Sequence, residues 1–200
     1  MYKSSSSRVV PIVIVLIIIA VAIAVMVSVG RAIFGGNTGT NTSKVDLGVE
    51  SLLNTSVDRS VRMTVRGPIV ADENFRSYQI AVDSSSRRMT TYAGYLDTTL
   101  QNVQLDNNAK GYEEFVNALN RAQLMKGEEG NVEQNDTLGV CATGRVYEFE
   151  VLQGTSVIKR LWTSTCKGAA GTLKANRAQV EDLFNAQIPN SQEILNTIDI

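Results

Sequence analysis

The run from Val9 to Gly30, VVPIVIVLIIIAVAIAVMVSVG, constrains this chain more than any other stretch. It holds twenty-two residues with no charge and one hydroxyl, Ser28, between Arg8 and Arg31. A helix rises about 1.5 Å per residue, and a hydrocarbon layer about 30 Å thick takes roughly 20 apolar residues to cross. The run is therefore expected to form one transmembrane helix. A secretory signal core is shorter and ends at small residues, whereas this run leads into Arg31, Ile33 and Phe34. A core helix with a solvated side would carry a polar stripe, and here branched aliphatics continue around every face.

Orientation follows from the flanking cations. The amino terminus, Lys3 and Arg8 precede the run, against Arg31 and the more distant Lys44 after it, which favours a cytoplasmic amino terminus. The expected layout is a cytoplasmic tail at 1–8, a transmembrane helix at 9–30, a juxtamembrane linker at 31–44 and a single extracytoplasmic domain at 45–200. Ala20, Ala24 and Ser28 recur every four residues, a spacing that allows close helix packing and self-association. On this reading the lipid bilayer is a partner, and an envelope protein or polyanionic surface component is another. The location is the cell membrane, crossed once.

Outside that run the chain is ordinary in size and charge. Residues 32–200 hold 16 Lys or Arg against 20 Asp or Glu, a net of −4, which is enough chain for one modest core. This mild acidity gives no drive toward nucleic acid, and none is predicted as a partner. GGNTGTNTS, at 35–43, reads as a spacer, and VDLGVESLL, at 45–53, as a short helix or packing segment.

Alternation with period two begins at Ser60. Val61, Met63 and Val65 fall on one face and Arg62, Thr64 and Arg66 on the other. A second strand runs from Ser77 to Asp83, DSSSR reverses the chain, and Met89 to Tyr95 supplies the return. From Asn108 the period changes: Tyr112, Phe115, Val116, Leu119 and Ala122 make one face of a helix, with Asn108 as its cap. GEEGNVEQNDTLG, at 127–139, is acidic and poor in large apolar groups, so it is expected to be an exposed loop and a contact surface. A further helix is expected at 173–188, capped by Thr172 or Asn176 and ended by Pro189.

The strongest hairpin signal lies between Gly144 and Cys166. With Gln153-Gly154 as a two-residue turn, Phe149 faces Ile158, Glu148 faces Lys159, and Cys141 comes opposite Cys166. These are the only two cysteines of the chain, which suits one structural disulfide in an oxidising compartment. The fold class expected is α+β: an antiparallel sheet packed by two or more helices, preceded by the transmembrane helix.

Catalytic and metal chemistry find little support. The chain has no histidine, which excludes the Ser-His-Asp, Cys-His and histidine-metal mechanisms. Glu148 and Glu150 share a strand face and read as solvated side chains. Ser156 or Ser164 with Lys159 offers the residue types of a dyad and nothing that brings them together. No cofactor is expected, and no metal, since two cysteines alone do not complete a zinc site. Arg62, Arg66, Arg87 and Arg88 form the candidate interaction surface, set against an acidic stretch at 106–150 with nine acidic and four basic side chains. The function expected from sequence is a membrane-anchored, extracytoplasmic binding or structural protein of the cell envelope. The alternatives are a membrane-tethered enzyme with carboxylate or Ser-Lys chemistry and a pilin-like assembly subunit.

Overall fold

The structure is a computed structural model and describes residues 47–200. Six strands form one antiparallel sheet: β1 (Arg59–Arg66), β2 (Arg76–Asp83), β3 (Ser86–Ala93), β4 (Thr98–Asp106), β5 (Val146–Gln153) and β6 (Ser156–Ser164), in the spatial order β4-β3-β2-β1-β5-β6. Four helices accompany it: α1 (Leu47–Leu53), α2 (Ala109–Arg121), α3 (Arg177–Asn185) and α4 (Ser191–Ile198). β1 to β4 make a meander, and the β5–β6 hairpin attaches to the free side of β1.

The alternation read in β1 sets the layers. Val61, Met63 and Val65 pair with Val82, Ile80 and Tyr78 of β2 on one side and with Val151, Phe149 and Tyr147 of β5 on the other. All nine are buried, and they meet Tyr112, Phe115, Val116 and Leu119 of α2 and Val180 and Phe184 of α3 in one core. Phe184 joins the layers, edge-on to Phe115 at 5.3 Å and tilted against Phe149 at 6.1 Å. Asn108 caps α2 as expected, accepting from the Gly111 N–H at 2.9 Å; of the two candidates for α3, Asn176 is the cap, accepting from the Gln179 N–H at 3.3 Å, so the helix expected at 173–188 is the shorter Arg177–Asn185.

The membrane-anchored reading is corrected. Among the described residues no helix is long and apolar enough to cross a membrane. The longest, α2, has 13 residues, spans about 20 Å and is amphipathic. What the structure supports is an antiparallel sheet packed by several short helices. The run at 9–30, the tail at 1–8 and the linker at 31–44 lie outside the described residues. The bilayer as a partner, self-association through Ala20, Ala24 and Ser28, and a single-pass location with an external domain all rested on that run, and so did both alternative functions. None of them is carried further.

Two further expectations change. β4 has no counterpart among the strands read from sequence, because its side chains are mostly polar and exposed and only Val103 and Leu105 pack against the core. The hairpin register also differs. Its turn is Gly154-Thr155, with Gln153 paired to Ser156 and Gly154 at φ 56°, and Ile158 bulges out between the pairs Leu152↔Val157 and Val151↔Lys159. Phe149 therefore faces Leu161, and Glu148 faces Trp162.

The disulfide forms by another route. Cys141 and Cys166 are bonded, with Cα atoms 5.5 Å apart, yet both lie beyond the ends of the strands. The Arg145 N–H donates to Thr165 Oγ1 at 2.9 Å and the Thr165 N–H to the Arg145 carbonyl at 3.0 Å, which brings the two flanking segments together. The bend has room only for glycine at 144, where a Cβ would lie 2.3 Å from Thr165 Oγ1 and 3.0 Å from Cys141 Sγ.

Candidate functional site

On the sheet face away from the core, two glutamates of β5 lie beneath a layer of arginines. Glu148 is 5% exposed and Glu150 7%, where the sequence pattern suggested solvated side chains. Arg62 Nε reaches Glu150 at 2.7 Å, while Glu148 receives Arg66 at 3.2 Å, Arg160 at 2.8 Å and the Thr137 hydroxyl at 2.6 Å. Thr137 belongs to the acidic segment read as an exposed loop. The segment is a loop with most of its residues exposed, and it is also tied down to β5 and β6, where the Trp162 indole N–H donates to the Gln134 carbonyl at 2.7 Å and Glu129 accepts from the Arg160 N–H at 2.9 Å. A short stretch of polar residues can be held down by buried acceptors, and hydropathy alone does not register that.

The four arginines singled out from sequence separate. The register puts Arg62, Arg66 and Arg88 on this face, with Arg62 and Arg66 engaged by glutamates and Arg88 exposed. Arg87 lies on the other face, where it donates to the carbonyls of Asp106, at 3.0 and 3.2 Å, and Gln187, at 3.2 Å.

At the end of the sheet where β1 leaves and β5 begins, two concavities flank the disulfide-bonded segment. One is an apolar groove of about 260 Å³, lined in part by Ile69, Phe75, Tyr95, Leu138 and Cys141. The other, on the core side, is a cavity of about 500 Å³ whose wall carries Arg145, Arg177 and Glu181 together with the hydroxyl residues Thr143 and Thr165. Tyr147, Pro68, Gly144 and Ile200 complete that wall, the last beside Arg145, which donates to its carbonyl. Of these two concavities this one gathers the more charged and hydroxyl groups, the kind of makeup a small-ligand site has.

Each of its charges is positioned by a neighbour. Arg177 stands in the first turn of α3, where the helix dipole disfavours a cation, and is held there by Glu181 one turn on and by the ring of Tyr147, whose centroid is 4.5 Å from Cζ. Arg145 donates to the Ile200 carbonyl, and among the described residues no carboxylate side chain pairs with it. Burial, reinforced by the negative charge of Glu181, raises the pKa of both Tyr78 and Tyr147, so both phenols stay protonated. With Glu181 engaged by Arg177 and by the Tyr78 hydroxyl at 3.5 Å, the cavity wall offers a ligand guanidinium groups and the hydroxyls of Thr143 and Thr165.

Sequence reasoning did not find Arg145 or Arg177. A signal existed for Arg177: a cation directly after a helix cap, against the dipole, with an acid four residues later. No known protein family matches the chain, and no curated protein matches its sequence.

Proposed function

We propose that this protein is a binding domain for a small ligand bearing an oxyanion, a carboxylate or a phosphate group. The observation that carries the reading is the approach of two guanidinium side chains, Arg145 and Arg177, to one cavity whose wall holds a single carboxylate side chain, Glu181, already engaged by Arg177. A planar guanidinium offers two parallel N–H groups to an oxyanion, and hydroxyls at Thr143 and Thr165 stand on the same wall. Pro68 gives the ligand's apolar body a surface to lie on, beside the Arg177 guanidinium that covers the Tyr147 ring.

Calorimetric titration of the purified chain with inorganic phosphate, and with benzoate as an aromatic carboxylate, tests this. Binding of at least one probe is expected, with affinity falling about tenfold or more in Arg145→Gln, since a charge-assisted hydrogen bond contributes about 1.5–3 kcal/mol. Arg62→Gln, on the opposite face, should bind as the parent does. Absence of heat with either probe at millimolar concentration, or equal affinity in Arg145→Gln, would overturn the reading.

A further inference from the structure

The two edges of the sheet are finished differently. On the β6 side the chain blunts its own edge: the Leu173 N–H donates to the Trp162 carbonyl at 2.9 Å, Thr172 Oγ1 accepts from the Trp162 N–H at 3.0 Å and Glu129 takes that of Arg160. Gly171, at φ 71°, brings this segment so close that a Cβ there would lie 2.2 Å from the Trp162 carbonyl oxygen. On the β4 side, among the described residues, no element pairs with the outer edge. β4 contains no Lys, Arg or Pro, the residues that usually guard an exposed edge, and its one charge is Asp106 at the end. An extra residue at Leu100 kinks its beginning and leaves Gln101–Asp106 as a regular run.

We infer that β4 is the interface for a second copy of this chain, added antiparallel to make a continuous twelve-stranded sheet across two protomers. A two-fold axis through Val103 sets Val103 against Val103, Gln101 against Leu105 and Asn102 against Gln104 of the other copy. Val103 and Leu105 already pack at the margin of the core, so the apolar layer continues across the junction. On the other face the exposed amides of Asn102 and Gln104 come opposite each other and can exchange hydrogen bonds. Asp106 falls opposite Leu100, so no like charges meet. The blunted β6 edge favours the second copy over an open array, because one open edge per protomer closes the assembly at two.

The test compares the full chain with an Asn102→Lys, Gln104→Lys variant by light scattering across a dilution series. Both side chains are exposed, so the variant should fold, as circular dichroism will verify. The expected result is a dimer whose dissociation constant rises about tenfold or more in the variant, where four lysines come to oppose one another. Co-expressed Asn102→Cys and Gln104→Cys chains should also cross-link on mild oxidation, whereas Arg88→Cys chains should not. A monomer throughout the series, a dimer indifferent to the lysines, growth beyond two copies, or a monomer that captures an unrelated strand peptide would each overturn the inference.

Discussion

Glu148 shows how much a single side chain can hold in place. Its carboxylate gathers two guanidinium groups and the Thr137 hydroxyl while remaining 5% exposed. Removing it strands those donors and takes away one of the loop's attachments to the sheet, leaving the bonds at Gln134 and Glu129. Glu148→Ala is expected to lower unfolding free energy by about 2 kcal/mol, below the range for a fully buried pair because Arg66 and Arg160 reach solvent. Urea denaturation measures the change, and Thr137→Val, which removes one bond at the same place, should cost about half as much. Asp83 is a second case. Burial would raise its pKa, but hydrogen bonds from the hydroxyls and backbone N–H groups of Ser85 and Ser86 outweigh that and hold it below the usual carboxylate range. A lowered folded-state pKa stabilises the fold above the ordinary aspartate pKa, and this contribution is lost as pH falls through the folded value. Asp83→Asn should therefore flatten part of the acid limb of the stability curve.

Elements show what the sequence makes legible and what it hides. β1, β2 and α2 were readable because each repeats one contrast, buried against exposed, at a fixed period. β4 was not, since an edge strand with only Val103 and Leu105 half-buried on its core side shows little of that contrast. The hairpin teaches a sharper lesson: the cysteines are bonded, but the register that brought them together on paper is displaced by the Gly154-Thr155 turn and the Ile158 bulge. Their meeting depends on the segments beyond the strands, which no alternation describes. The polar cavity was missed for a related reason, since its arginines come from separate segments that only the folded sheet juxtaposes. The disulfide closes a separation of 25 residues. Replacing both cysteines by serine should destabilise the protein by about 2–4 kcal/mol, read as a shift in denaturant midpoint, and non-reducing peptide mapping should recover the linked pair from the parent.

On the scale of the whole molecule, β1 is the strand through which the meander and the β5–β6 hairpin are joined. Three buried tyrosines, Tyr78 on β2, Tyr112 on α2 and Tyr147 on β5, lie in the core around this junction. Burial raises the pKa of each. A raised folded-state value favours the protonated phenol in the native protein. The stability it brings is complete below the ordinary tyrosine pKa of about 10 and declines as pH climbs toward the folded values. Unfolding free energy should thus fall steeply in alkali, by up to about 1.4 kcal/mol per pH unit for each phenol. Denaturation followed between neutrality and strong alkali checks this, and Tyr112→Phe should make the decline shallower.

The docked loop has an optical consequence. The chain has one tryptophan, Trp162, and its indole is tied to that loop by the bond to Gln134. Its emission is therefore a private reporter of the loop, while the five tyrosines among the described residues report mainly on the rest of the fold. A red shift on excitation at the indole band that precedes any loss of tyrosine ellipticity would time the lifting of this one segment, with no label added.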